Sequence, residues 1–295
     1  MSEERLILAA AVVFLDEEAL LPRMLETLAR QTRPPELALL VDDGSQDRSG
    51  MLAAAFAHDR RNVQLLERPH RGPSSDRLAK AAELRAFQWA IQQIDGQFDV
   101  VAKLDADLEL PTDFFFRVMA AFDSDPKLGI AGAQLNVPGA FGVTEYSQPW
   151  HVRGATKFYR VSCWEAIAPL PAILGWDTID ETRAKMRGWH VRTVSFGDEG
   201  PVHLRPTGTY DGAIRGYRRR GAAAWGYGAH PLNVFASVLV RMRHRPRLVG
   251  SLAYLAGWLG AALQRAPRAE PAARRYLQRE QRRRLQAAAL RRGAS

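Results

Sequence analysis

The chain has 295 residues, 46% hydrophobic and 25% charged, with a formal net charge of +9. Such a composition excludes a disordered or low-complexity protein, and the length suffices for a large core. The single cysteine, Cys163, excludes an internal disulfide and a multi-cysteine metal site, so a reducing cytosol is the expected compartment.

No signal peptide is expected, because Met1-Ser2-Glu3-Glu4-Arg5 is acidic. Leu6 to Leu15 is a near-continuous apolar run, the pattern of a strand buried on both faces. Leu20, Leu21, Met24, Leu25 and Leu28 follow at helical spacing, with Asp16 expected as N-cap and Glu17 and Glu18 in the first turn. A second strand is expected over Leu37 to Val41, ending in Asp42-Asp43-Gly44-Ser45. A helix over Ser49 to His58, a strand over Val63 to Leu66 and a helix over Asp76 to Ile94 follow. Val100 to Leu108 reads as another buried strand ending in Asp105-Ala106-Asp107. Alternation would point both carboxylates the same way, and paired hard oxygen ligands suit Mg²⁺ or Mn²⁺.

Strand and helix thus alternate four times in 110 residues, which argues for an α/β fold with a mostly parallel sheet flanked by helices. Ligands in such sheets bind beyond the carboxyl ends of the strands. Three acidic clusters fall there: 16–18, 42–43, and Asp105 with Asp107. Gathered on one edge they would repel unless a cation or hydrogen-bond donors offset them.

Thr112 to Phe122 reads as a helix, Leu128 to Val137 as a strand, 141–152 as a loop, Lys157 to Ser162 as a strand and Trp164 to Ile167 as a short helix. A further helix is expected to end at Arg187-Gly188, capped by Asp177 or Thr178, followed by a strand over His190 to Phe196. From Pro231 the character changes. Leu232 to Val240 is apolar, Arg241 to Arg247 basic, and Leu248 to Leu263 uncharged. That stretch is shorter than a membrane span requires, so it reads as a helical, membrane-associating extension lying at the interface. Gln264 to Ser295 is Arg-rich and reads as a solvated helix. The expected divisions are therefore 1–230, 231–263 and 264–295.

The apolar strand with its acids, Asp42-Asp43-Gly44-Ser45, Asp105-Ala106-Asp107, and Gly175-Trp176-Asp177 followed eleven residues later by Gly188-Trp189 occur in one order. Together they resemble the family 2 glycosyltransferases of GT-A fold over roughly residues 6 to 230. The resemblance implies a nucleotide-sugar donor, Mn²⁺ or Mg²⁺, and inversion at the anomeric carbon. Residue by residue, it implies that Asp42 bonds the base, that Asp43 and Ser45 lie near the nucleoside, and that Asp105 touches the ribose. Asp107 would ligate the metal, His203 would complete its shell, and Lys80 and Glu17 would lie near the donor. Asp177 matches the general base, a role for which Asp180 and Glu181, one turn further on, compete. Trp176, Asp180, Glu181, Arg205 and Arg215 are candidates for acceptor or phosphate contacts.

The sequence departs from the family at Phe14-Leu15-Asp16-Glu17 and at Trp176-Asp177, where the usual pair is Glu-Asp. It lacks the Gln-x-x-Arg-Trp signature of processive synthases, so a non-processive enzyme is expected. The expected acceptor is a lipid-linked or saccharide hydroxyl at an anionic membrane surface, on its cytoplasmic face, in surface polysaccharide or glycolipid synthesis. Two rivals are a nucleotidyltransferase, which would need a Gly-rich phosphate loop that residues 6 to 30 lack, and a non-catalytic membrane or nucleic-acid binder. Nucleic acid is not an expected partner, since the acidic strand ends would repel phosphate.

Overall fold

Strand β1 (Leu8–Phe14) is buried at all seven positions and lies inside a seven-stranded sheet, next to its middle strand. Its neighbours are β2 (Leu37–Asp42) and β4 (Val100–Asp105), both parallel to it. Strand β3 (Val63–Glu67) continues the parallel set beyond β2. On the other side come β7 (Thr156–Arg160), β6 (Leu128–Ala133) and β8 (His190–Val194), giving the order β3-β2-β1-β4-β7-β6-β8. Only β7 runs against its neighbours. A two-residue strand β5 (Leu108–Glu109) pairs separately with β9 (Val202–His203). The computed structural model describes residues 5–69, 81–136, 151–205, 212–242 and 247–293.

Alternation along the strands decides which helices meet which face. Leu8, Ala10, Val12 and Phe14 share a core with Leu21, Met24, Leu25 and Leu28 of α1 (Leu21–Ala29). Phe114, Phe115, Val118, Met119 and Phe122 of α4 (Phe114–Ser124) join the same core. Phe158 of β7 points into it, its ring centroid 5.8 Å from that of Phe114. Tyr159, the next residue, faces the opposite way. It packs 6.0 Å from Phe87 of α3 (Ala82–Ile91) and 5.0 Å from Trp164 of α5 (Val161–Ile167). Each fully buried side chain of this size stabilises the fold by roughly 1.5–3 kcal/mol. Helix α2 (Ser49–His58) packs against β2 and β3.

The chain forms two compact units. The sheet unit runs to Pro169, apart from residues 76–81, and resumes from Arg187. The helical unit includes Leu170–Met186 and the described residues from 212 onward. This division separates Leu170–Met186 from the sheet and places residues 212–230 with the C-terminal helices, unlike a boundary drawn at residue 230. The helical unit holds α6 (Trp176–Met186), α7 (Ala213–Gly226), α8 (Pro231–Arg241), α9 (Arg247–Leu263) and α10 (Pro271–Gly293). Helices α7 and α9 approach through glycine. A Cβ on Gly221 would lie 1.9 Å from the Tyr254 carbonyl oxygen, and one on Gly257 would lie 1.9 Å from that of Arg218.

Several local expectations change. Asp16 does not cap α1: it adopts a left-handed φ of 50°, and the helix begins five residues later behind Leu20, which supplies no side-chain cap. Asp177 and Thr178 do not precede α6; they sit in its first turn, because the helix starts at Trp176. Gly188, with φ +83°, ends that segment as its left-handed preference predicts. The Arg-rich tail is not simply solvated. Ala273, Leu277 and Gln281 of α10 are buried, and Gln281 Oε1 accepts from the His230 backbone N–H at 2.8 Å. Residues 70–80, the start of the helix expected over Asp76 to Ile94, and most of the expected 141–152 loop lie outside the described residues.

Candidate active site

The carboxyl ends of β1, β2 and β4 carry the three acidic clusters, but the structure uses them differently. Asp16 Oδ1 accepts from the Gln46 N–H at 2.7 Å, and Glu18 accepts from the Arg48 N–H at 3.1 Å. In return, the Asp16 and Glu17 N–H groups donate to Ser45 Oγ at 3.1 Å and Ser49 Oγ at 2.7 Å. The loops after β1 and β2 are thereby laced together. Asp42 Oδ1 accepts from the Gly44 and Ser45 N–H groups at 3.0 and 2.7 Å, an Asx-type turn that closes the end of β2. Its Oδ2 faces Gly50, where an added Cβ would lie 2.8 Å away. Asp43 pairs with the buried guanidinium of Arg68. Backbone donors and arginine offset these acids, so one cation gathering all three clusters is not the arrangement.

What remains is a smaller cluster. Asp105, Asp107 and His203 each present a ligand atom, all within 4.8 Å of one another. Strand alternation is not the reason, because β4 ends at Asp105 and residues 106 and 107 turn. The short ladder between β5 and β9 brings in the third member by pairing Leu108 with His203. Two further bonds hold that ladder, from the Leu204 N–H to the Asp107 carbonyl at 2.9 Å and from the His203 N–H to the Asn136 carbonyl at 2.8 Å. His203 Nε2 lies 3.2 Å from Asp107 Oδ1, and His203 is buried. Two carboxylates and an imidazole this close suit a hard divalent ion that accepts oxygen and nitrogen.

Basic groups border the cluster. Lys103, buried on β4, bonds Asp105 Oδ1 and donates to the Gly154 carbonyl at 2.9 Å. Lys157, also buried, lies directly across from it in register on β7. Arg205 bonds Glu17 and brings its Nε within 3.8 Å of Asp107 Oδ2. Burial pushes the Glu17 carboxyl above the usual carboxylate range. Arg205 opposes that shift, while the charges of Asp107 and Asp105 add to it.

Glu17, Asp42, Asp43, Ser45, Asp105, Asp107, His203 and Arg205 therefore all belong to the sheet unit, at the ends of its strands or on the loops that follow. Lys80 lies outside the described residues. In the helical unit, Asp177 is half-buried in the first turn of α6, and Arg215 is exposed in the first turn of α7. Trp176, Asp180 and Glu181 are buried. Burial leaves Trp176 little ring surface for an acceptor contact. Glu181 lies 3.9 Å from Lys185, which lies 3.9 Å from Glu280 of α10. Burial raises the Tyr227 hydroxyl far above the ordinary range, and the charges of Tyr254 and then Asp177 push the same way against Arg241. Reading the sequence missed Lys103, Lys157 and Arg68. A lysine inside an apolar strand was the available signal for the first.

Residues 10–170 match the family model for Glycosyl transferase family 2. The chain belongs to that family. This glycosyltransferase is also similar to solved structures. A mannosyltransferase from Pyrobaculum calidifontis, in complex with GDP-Man and Mn²⁺, aligns over 99% of this chain and 80% of its own, at 19% identity and a TM-score of 0.57. Residues 1–349 of S. aureus TarS, in complex with UDP-GlcNAc, align over 88% of this chain and 73% of that one, at 16% identity and a TM-score of 0.51. At these identities the likeness is one of fold. No curated protein matches the chain. Family membership sets aside the nucleotidyltransferase and the non-catalytic binder.

Proposed function

We propose that this glycosyltransferase moves a sugar from a nucleoside-diphosphate sugar to a hydroxyl acceptor with inversion, in a reaction dependent on Mn²⁺ or Mg²⁺. The convergence of Asp105, Asp107 and His203 within 4.8 Å carries the reading. The fold neighbours add support, since one was solved with GDP-Man and Mn²⁺ and another with UDP-GlcNAc. The two carboxylates and the imidazole would hold the ion, which when bound neutralises the departing diphosphate.

The chain's own residues supply the rest. Asp42 and Ser45, in a turn already closed by backbone N–H groups, present the base and nucleoside contacts, with Asp43 held beside them by Arg68. Asp105 serves the ribose as well as the cation, and Lys103 fixes its orientation. Arg205 restrains Glu17 and offers positive charge toward donor phosphate, as Lys80 does in this reading. An attacking hydroxyl must lose its proton, and Asp177 takes it as general base. Arg215 contacts acceptor or phosphate. The acceptor is a lipid-linked or saccharide hydroxyl at the cytoplasmic face of a membrane, within surface polysaccharide or glycolipid synthesis.

A thermal-shift screen of nucleoside diphosphates and nucleotide sugars, with and without Mn²⁺, tests the core of this reading. Wild-type protein should show a shift that needs both nucleotide and Mn²⁺, of about 2.7 kcal/mol at a hundredfold excess over Kd. Asp107→Ala should lose the Mn²⁺-dependent part. An unchanged Mn²⁺ titration in that variant would remove Asp107 from the metal site.

A further inference from the structure

We infer that the outer faces of α8 and α9 form a docking surface for an anionic lipid bilayer, held at the interface and not inserted across it. The inference deepens the membrane-linked acceptor proposed above and rests on that reading for its purpose, although its observations are independent.

Large apolar side chains are exposed here more than anywhere else among the described residues. Of fifteen such side chains, ten lie between Leu232 and Leu263. On α8, Leu232, Phe235 and Leu239 recur at helical spacing and are 62%, 53% and 66% exposed. On α9, Leu248, Leu252, Leu259 and Leu263 do the same, at 60%, 63%, 45% and 84%. Each helix buries the opposite stripe. Val234 of α8 and Tyr254 of α9 share one core with Ala224 of α7, and Ser251 Oγ donates to the Val238 carbonyl at 3.1 Å. The two helices are thus folded against their own unit and still leave a continuous apolar stripe each. Contiguous apolar surface of this kind marks an interaction site.

Charge selects the occupant. Residues 212–295 contain 18 arginines, no lysine and two acidic residues, Glu270 and Glu280, a net +16. Residues 1–211 contain 23 basic and 30 acidic residues, a net −7. Between 212 and 263 there is no acidic residue at all, and Arg241, Arg243, Arg245 and Arg247 join the two apolar helices in sequence. A second copy of this surface would bring like charge against like charge. Anionic headgroups complement it, each nearby arginine adding to the membrane attraction. No helix among the described residues is long and apolar enough to cross a membrane, which fits an interfacial position for this pair.

The test uses the full chain and vesicles of neutral phosphatidylcholine, with or without about one third phosphatidylglycerol. Wild-type protein should co-sediment with the anionic vesicles and weakly or not at all with the neutral ones. Leu239→Glu with Leu252→Glu should weaken that binding roughly tenfold or more, and Met51→Glu on the sheet unit should not. Because a variant can fail to fold, a second readout avoids acidic substitution. Cys163 is buried, so Leu239→Cys can be labelled selectively with a polarity-sensitive dye. Its emission should shift to the blue with anionic vesicles, and that of Met51→Cys should not. Wild-type protein that ignores anionic vesicles overturns the inference, as does a double variant that pellets unchanged. So does a dimer that Leu239→Glu dissociates without vesicle binding, which would assign the face to a second copy. Donor- and Mn²⁺-dependent thermal shifts in the double variant report separately on the glycosyl-transfer reading.

Discussion

The sheet unit and the helical unit treat charge and apolar surface in opposite ways. In the sheet unit, acids at the strand ends are offset from within. Asp16, Glu18 and Asp42 accept backbone N–H groups, and Asp43 pairs with Arg68. Its large apolar side chains interlock in two layers around β1 and β4. In the helical unit, small residues allow close backbone contact, the arginines far outnumber the acids, and leucines remain outside. Acids with internal partners thus mark the first unit, and basic groups in excess over acids mark the second. Electrostatic surplus is therefore informative only after internal pairing has been subtracted. Three acidic clusters shrink to one candidate cation site once their hydrogen bonds are counted.

The contrast breaks most severely if the glycine contacts are filled. Gly221→Val should cost about 4 kcal/mol or more, since the added atoms would meet the Tyr254 backbone and not a movable side chain. Hydrogen exchange should show α7 and α9 losing protection. Equal protection in variant and wild type would refute close backbone packing as the organising contact.

Asp177→Asn sharpens the functional side of the comparison. Transfer should fall about 10²- to 10⁴-fold while donor and Mn²⁺ still raise the melting temperature. Normal turnover in this variant would assign the proton to another group.

A smaller effect is expected where α6 meets α10. Arg183 holds Glu270 through two bonds of 2.8 and 3.0 Å, and Glu270→Gln should cost about 1 kcal/mol, read as a lower melting temperature. A neutral result would make that contact incidental.

The mildest change concerns the turn into β6. The hydrogen bond from His190 holds the Asp125 carboxyl below the usual carboxylate range, and Arg192 adds to this. A depressed folded-state value means that the stabilisation is present above the unfolded value and is lost as pH falls through the folded one. Wild-type stability should therefore decline more steeply than that of Asp125→Asn below about pH 4. Parallel acid limbs in the two melting profiles would contradict the pairing.

Much of this was open to reading from residue order. The runs Leu6 to Leu15 and Leu37 to Val41 are apolar because both faces of those strands are covered, and they appear as β1 and β2 with nearly the expected bounds. Ser49 to His58 is a helix with the bounds expected of it. The resemblance carried by Asp42-Asp43-Gly44-Ser45 and Asp105-Ala106-Asp107 led to the right family because those short stretches are local and self-contained. Burial was harder to see in the tail. Arginines spread along α10 hid its inward residues, among them Ala273, Leu277 and Gln281.

The sequence by itself determined the alternation of strand and helix, the acids at the strand ends and the surplus of arginine toward the C-terminus, because each is written in neighbouring residues. Only the tertiary structure decided which acids remain for a cation. His203 reaches Asp107 through a two-residue ladder with Leu108, across 95 positions of chain. Arg205 likewise gains its carboxylate partner, Glu17, 188 positions away, only from the way strands and loops meet, whereas Lys103 and Asp105 are two apart on one face of β4. Pairing at that separation depends on backbone hydrogen bonds formed after the sheet exists, and no local pattern of side chains encodes it.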